Sequence, residues 1–529
     1  MENKKKVEYY SRKNQGIMNF NRRTVLKAIF LISLSPLALF KFNKKVAAQD
    51  TEVLKKSKLN SLLKTVPEPI IPSRPDLIAM YQKCWQIGLS KTERGTPENG
   101  FVEQYVDAAF DRRIFQWDTC FSVAWAKYSQ GALPNIVSLD NFYRKQHADG
   151  AIAGVIRKSD GTDDQGTETS WFTRNNLFSW MEYEYYCHTG DSSRIPKILP
   201  ILKKYSNWVR QNRRHPNGHY WWSGWGSGMD NSPRSIANKP YPPHSWIDYD
   251  AIEAMSAYYM VKLARIAGDK EIEKEFQDLY NELEQLINSS MWCEEDGIYW
   301  DLDKDGSFLK VKTVASFWPL WARITNKHQV EKLVSHLNDP SSFNRLHRVP
   351  TLSGDHPKYV KTGHYWLGSI WAPTNHMIVK GLAANNRHQL SREIVCNHLN
   401  NMSAVFKETG TVWENYAPEF VEPGNLAKPD FVGWSAVGPI TQLIENYIGI
   451  TLDVPANTVY WNLLSTEKLG VRNLLFDNEP IEIFCNQRES LNDPIEITTQ
   501  TSLPFILIIN NGEKTVTKSI EAGKHKFTL

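Results

Sequence analysis

Cysteine is scarce and unpatterned. Six residues (Cys84, Cys120, Cys187, Cys293, Cys396 and Cys485) are scattered through 529 positions without a Cys-x-x-Cys pair. That excludes a disulfide framework and a zinc site, and leaves thiols acting mostly as small buried apolar groups. An excess of one charge is lacking too. The net charge is +4, and much of the surplus lies ahead of Lys45. No basic face remains to neutralise phosphates, so nucleic acid is not an expected partner. Beyond the N-terminal region no stretch approaches a transmembrane helix. No fixed-period repeat is visible, which argues against an open solenoid of stacked helix pairs. The histidines His364 and His376 have no metal-ligand spacing, and no metal or cofactor is expected.

What is present begins with a leader. Asn21-Arg22-Arg23-Thr24-Val25-Leu26-Lys27 precedes an apolar run from Ala28 to Phe40, too short to span a bilayer. Val46-Ala47-Ala48 offers a cleavage site before Gln49. Residues 1–48 are expected to be a twin-arginine-like export signal, giving a periplasmic or extracellular protein with no membrane attachment after cleavage. An uncleaved anchor and a start at Met18 both stay open. Residues 49–75 are polar, then proline-rich (Pro67, Pro69, Pro72, Pro75), and read as a linker.

From 76 to about 451 apolar residues recur at helical spacing. Helices are expected over Thr167–Gly190, Ser193–Arg214, Ser245–Gly268, Lys270–Ser290, Tyr365–Ala384, Arg387–Phe406 and Gly433–Ile448, with glycines such as Gly190 and Gly268 as stops. Helical hairpins whose alternate connections are long and aromatic close most naturally as an (α/α)6 barrel with those loops at one mouth. Residues 452–529 change to short β-rich runs (Ile481–Phe484, Ile495–Thr499, Phe505–Ile509, Lys524–Leu529) and read as a small β-sandwich. The expected fold is mainly α, with this β domain behind it.

The aromatic load, 19 Trp and 22 Tyr, suits stacking on sugar faces and also suits a helix-rich core. Its distribution says more. Tyr220–Arg234 holds Trp221, Trp222, Trp225 and one acid, Asp230, between two long helices. Trp supplies flat apolar walls, Gly admits a ligand close to the backbone, and a lone acid among such walls has reason to change its pKa. Thr411–Pro418 repeats the texture, with Glu414 between Trp413 and Tyr416. Phe115-Gln116-Trp117-Asp118 pairs a ring with a carboxylate. Asp118 fits a sugar contact and also a helix N-cap. Two acids in separate Trp-rich loops match glycoside hydrolysis, one protonating the leaving oxygen and the other activating water. A carboxyl separation of roughly 6.5–9.5 Å leaves room for that water and inverts the anomer. Asp301-x-Asp303-x-Asp305-Gly306 resembles half a calcium loop, but Lys312 stands where a bidentate Glu is needed, so an acidic β-hairpin turn is expected.

Taken together, Phe115–Asp118, Ser227-Gly228-Met229-Asp230-Asn231-Ser232-Pro233-Arg234, Tyr365–Trp371 with Asn375, and Trp413-Glu414-Asn415-Tyr416 resemble glycoside hydrolase family 63. They are also similar to its trehalase-like relatives, including hydrolases of mannosylglycerate and glucosylglycerate. The resemblance covers about residues 80 to 450. It implies an (α/α)6 barrel and an inverting mechanism, with Asp230 as general acid and Glu414 as general base. Trp117, Asp118 and Arg234 fall where the family grips the sugar, and Gln116, Trp225, Trp371 and Trp413 are the further substrate-binding candidates. Leu367 stands where the family's motif usually carries Arg. Glu93-Arg94-Gly95 to Phe110 lacks the glycine-rich signature of true trehalases. An exported, exo-acting inverting α-glycosidase on terminal α-glucosides or α-mannosides is therefore expected, with a saccharide or glycoside as its partner. A polysaccharide lyase on a helical toroid and a non-catalytic sugar-binding protein are the alternatives.

Overall fold

The computed structural model describes residues 56–108, 110–169, 171–222, 227–234 and 244–529. The expected export signal, the first part of the expected linker and Trp225 lie outside them. The main helices are α1 (Pro75–Ser90), α2 (Gln116–Ala126), α3 (Phe178–Thr189), α4 (Ile195–Asn212), α5 (Ile247–Ala267) and α6 (Lys270–Ser290). They continue with α7 (Trp318–Ala322), α8 (Lys327–Asn338), α9 (Ala372–Ala384), α10 (His388–Thr409) and α11 (Gly438–Ile448), the last wound as a π-helix. Among the described residues no helix is long and apolar enough to cross a membrane.

Burial sorts these helices into two kinds. Every residue of α2 is buried, and α5 is buried on nearly all sides. In contrast α6 buries Ile272, Phe276, Leu279, Leu283 and Ile287, a single stripe at helical spacing. A helix buried all round must have neighbours all round. Accordingly α2 packs on α3, α3 on α5, α5 on α7, α7 on α9, and α9 on the turn 435–437 that leads into α11. That turn and α11 pack back on α2. The one-sided helices lie outside this circuit, α6 against α5 and α10 against α9 and α11. Close approach within the circuit needs small residues. A Cβ on Gly381 would meet Leu320 Cβ and the Trp321 backbone nitrogen, each at 2.9 Å.

Four of the inner helices are tied near their C-terminal ends by a closed ring of charges, two of them buried and two half-buried. Lys127 follows α2, Glu184 is on α3, Lys380 on α9 and Glu445 on α11. Lys127 Nζ lies 2.9 Å from Glu445 and 3.7 Å from Glu184. Lys380 Nζ lies 2.9 Å from Glu184 and 3.6 Å from Glu445. The Tyr128 hydroxyl donates to Glu445 Oε1 at 2.8 Å.

The strand-rich C-terminal region forms two sheets. Strand β1 (Glu68–Ile70) pairs with Leu469–Phe476, followed in the sheet by Glu479–Cys485, Glu496–Thr501 and Gly523–Thr528. The second sheet runs Ile450–Asp453, Thr458–Asn462, Phe505–Asn510, Thr515–Ile520. Phe476 of one sheet meets Phe505 of the other, ring centroids 5.5 Å apart.

Three expectations are corrected. The stretch 49–75 is not all linker, because residues 56–65 are helical and β1 supplies the edge strand of a sheet. The helix expected from Thr167 starts at Phe178, and the one expected from Tyr365 starts at Ala372. In both places aromatic residues at helical spacing belong to an irregular loop whose rings pack individually.

The charge ring makes a stability prediction. Burial alone would raise Glu445, but the Lys127 and Lys380 ammoniums overcome it and hold the carboxyl well below its usual range. A depressed folded-state pKa contributes stability that is full above the unfolded carboxylate value, about 4.3, and is lost as pH falls. Glu445→Gln should cost about 3–5 kcal/mol in urea unfolding near neutrality. The variant should also lose stability less steeply than the parent below that pH.

Candidate active site

The loops that enter the inner helices meet at the N-terminal end of the circuit around a cavity of ≈ 230 Å³. Trp117 and Asp118 come from the first turn of α2, Trp171 and Arg174 from the loop before α3. Tyr365, Trp366 and Trp371 come from the loop before α9, and Trp434 from the turn before α11. Gly228 and Asp230 complete it. The strand Arg113–Phe115, paired with Val155–Arg157, forms one rim. There Arg113 is held on both Asp111 oxygens at 2.8 Å and on Asp164 at 3.2 Å.

Local bonding aims the first acid. The Met229 N–H donates to Ser227 Oγ at 3.0 Å, and Gly228 takes φ 78°, a left-handed conformation that glycine tolerates. Asn231 then clamps the neighbouring loop. Its Nδ2 donates to the His364 carbonyl (3.0 Å) and its Oδ1 accepts the Trp366 N–H (2.8 Å). Trp366 stacks on Trp371 with centroids 4.3 Å apart and planes 2° from parallel. Asp230 therefore sits on a turn fastened to a rigid indole wall. Burial pushes its carboxyl up to about 6 against the pull of Arg174.

Glu414 is buried next to Trp434 and is not itself in the cavity wall. Its backbone carbonyl accepts the Trp434 indole N–H at 3.0 Å and the Ser435 hydroxyl at 3.2 Å. Its Oε2 accepts the Lys428 N–H at 3.2 Å, while Oε1 has no partner among the described residues. Burial pushes the carboxyl up to about 7, opposed by the Lys428 charge and raised further by Asp230. The field of Asp230 on Glu414, and of Glu414 on Asp118, places the three acids in one electrostatic neighbourhood.

Asp118 lines the cavity and is no N-cap, since Phe115 occupies that position. Its Oδ1 is buried without a partner among the described residues, and burial with repulsion from Asp107 pushes its carboxyl well up. Trp117 and Trp371 also line the cavity.

Three expected contacts are not there. Arg234 is buried and doubly forked, Nε and Nη2 on Asp301 at 2.6 and 2.7 Å, Nη1 and Nη2 on Asp248 at 2.9 and 3.0 Å. With four of its five N–H donors on these two carboxylates, its side chain 1% exposed and no place in the cavity wall, Arg234 joins the start of α5 to the 301–302 strand rather than gripping sugar. Gln116 is fully buried, accepting the Tyr205 hydroxyl at 3.3 Å, and is absent from the cavity wall. Trp413 turns outward, its indole N–H on Thr409 Oγ1 at 3.0 Å. With Asp301 spent on Arg234 and Asp303 Oδ1 accepting the Asp305 and Ser307 N–H groups, the acidic stretch is the turn of the hairpin 301–302/308–309. Among the described residues no three His, Cys, Asp or Glu side chains are grouped to hold a metal.

Arg174 was not legible in the sequence. Burial pulls its guanidinium down, the charges of Asp230 and Asp118 oppose that, and Nη1 has no partner among the described residues. A helix read through Thr167–Gly190 hides it, although Thr173-Arg174-Asn175-Asn176, polar in an aromatic stretch, marks the break.

Arg234→Met should leave Asp248 and Asp301 buried and unpaired, costing about 3–5 kcal/mol and lowering the melting temperature. An unchanged melting temperature with a raised KM would instead put Arg234 on the sugar.

The family model described as mannosylglycerate hydrolase MGH1-like glycoside hydrolase domain matches residues 108–423. An uncharacterized protein of Borreliella burgdorferi is 30% identical over 474 residues, 86% of this chain and 96% of that one. The mannosyl-oligosaccharide glucosidase of Saccharomyces cerevisiae is 24% identical over 299 residues, 48% of this chain and 35% of its own length. The solved mannosylglycerate hydrolase of Thermus thermophilus in complex with glucose shares the fold at a TM-score of 0.57 and 17% identity, covering 69% of this chain and 100% of that one. With the family model spanning more than half of its residues, the chain belongs to the mannosylglycerate hydrolase MGH1-like glycoside hydrolases and is a glycoside hydrolase.

Proposed function

We propose that the protein is an exported inverting α-glycosidase cleaving terminal α-glucosides or α-mannosides, with Asp230 as general acid and Glu414 as general base. The observation that carries this reading is the pair itself: Asp230 in the cavity wall and Glu414 set back from it within reach of its field, two carboxyls raised by burial on separate loops. The closed circuit of helices supports an (α/α)6 barrel, and the Phe476–Phe505 contact supports a β-sandwich behind it. Export rests on the Arg22-Arg23 leader in the sequence.

The two values by themselves would leave the last proton on Glu414. Position argues for the opposite roles. An acid must touch the glycosidic oxygen, and Asp230 lines the cavity. A base works through an intervening water, and Glu414 stands back from the cavity with one oxygen unpartnered among the described residues. The Lys428 ammonium and N–H beside it favour its anion. Trp117, Trp371 and Trp366 supply stacking faces, while Asp118 and Arg174 offer a buried acceptor and donor for ring hydroxyls. A lyase would need a phenol or imidazole base. Tyr365 lines the cavity, but burial and the surrounding acids push its phenol up, the wrong direction for that role.

Catalysis needs one carboxyl protonated and the other ionised. With values of about 6 and about 7, that state peaks between them, so kcat/KM should follow a bell with its maximum between pH 6 and 7 and fall on both sides. Asp230→Asn and Glu414→Gln should each lower turnover about 10²–10⁴-fold with the fold intact. NMR of the first-released sugar should show the β-anomer. Near-normal turnover in either variant, or an α-anomer released first, would overturn the assignment.

A further inference from the structure

A second cavity, of ≈ 740 Å³, lies at the opposite end of the inner helices, between their C-terminal turns and the strands of the second sheet. It shares no lining residue with the active-site cavity. One side is the charge ring of Lys127, Glu184, Lys380 and Glu445. Another is aromatic, with Tyr183 and Tyr259 centroids 5.5 Å apart and Trp321 beside them. Tyr460 comes from the strand Thr458–Asn462. Two atoms of lining residues, Arg392 Nε and Asn446 Oδ1, are buried with no partner among the described residues, one a donor and one an acceptor.

The lining selects a ligand class. An apolar ligand would strip water from four charges and give nothing back. A phosphate or other compact anion meets a ring in which two ammoniums are already matched by two carboxylates, and of the cations outside the ring, Arg323 and Arg392, one is offset by Asp453, so the lining carries at most one unmatched positive charge. A neutral polyol fits both features. Each hydroxyl donates and accepts, matching alternating ammonium and carboxylate, while pyranose C–H faces lie on the tyrosine and indole rings. The volume falls in the roughly 300–1,000 Å³ range of small-molecule sites. It is about three times that of the active-site cavity. We propose that this cavity is a second, non-hydrolytic saccharide site that takes an oligosaccharide of about two or three rings. The sizing rests on reading the active-site cavity as a one-ring pocket.

The test is isothermal titration of the full chain carrying Glu414→Gln with maltotriose and with α-mannotriose, alone and combined with Tyr460→Ala or Tyr183→Ala. A second equivalent of trisaccharide should bind, and either tyrosine substitution should weaken it about tenfold or more, the scale of truncating an aromatic anchor. With Glu414 retained, Tyr460→Ala and Tyr183→Ala should leave hydrolysis of an aryl α-glycoside unchanged, which also shows that they fold. Binding of a single equivalent, second-site binding indifferent to both tyrosine substitutions, or uptake of inorganic phosphate in place of trisaccharide would overturn the proposal. Failure of the catalytic assignment has a different signature: Glu414→Gln itself would still hydrolyse the aryl glycoside.

Discussion

The helical body depends on matched charge where its inner helices end. Glu184, Lys380 and Glu445 lie on three different inner helices and Lys127 just past the end of a fourth; Lys127 and Glu445 are buried, Glu184 and Lys380 half-buried. Each charge has two opposite partners, so each helix is referred to two others. Removing one member leaves its two neighbours partly unmatched, most expensively where the neighbour is the buried Lys127 or Glu445. Such a ring is weak evidence for high stability and better evidence for specificity, because few alternative packings of four helices keep all four charges matched. The helix ends on the far side are thereby set relative to one another, and those ends carry Trp117, Asp118, Trp371 and Trp434.

The same physics runs in the other sense at the active site. Asp118, Asp230 and Glu414 are buried without the close, matched cations that the ring supplies, and desolvation pushes all three carboxyls up. Arg174 and Lys428 offset only part of it. Arg234 shows what full charge compensation looks like: forked on both Asp248 and Asp301, it is tied into the scaffold and lies outside the cavity wall. Within one molecule, matched buried charge builds the frame and partly matched buried charge is left to do chemistry. The clamps between them are ordinary hydrogen bonds, such as those from Asn231 to the loop of Trp366.

Local sequence determined a good deal. Period and stops were enough for Lys270–Ser290, because Asp269 caps it and one apolar stripe runs its length. They were enough for α5, where Gly268 turns left-handed just past the end. The β-rich runs after Thr451 and the hairpin at Asp303–Gly306 were equally readable from alternation and turn residues. Asp230 and Glu414 stood out because an acid among tryptophans has few structural reasons to be there. These features depend on neighbours a few residues away, and such neighbours are written in the chain. Tertiary structure decided whatever depended on distant partners. It turned Arg234 from the sugar to Asp301 and directed Trp413 outward to Thr409. It seated Gln116 against Tyr205, drew the supposed linker strand Glu68–Ile70 into a sheet beside residues about 400 positions away, and brought Arg174 between two acids. A side chain's type states which bonds it can make, whereas which partner reaches it first is settled only when the helices close.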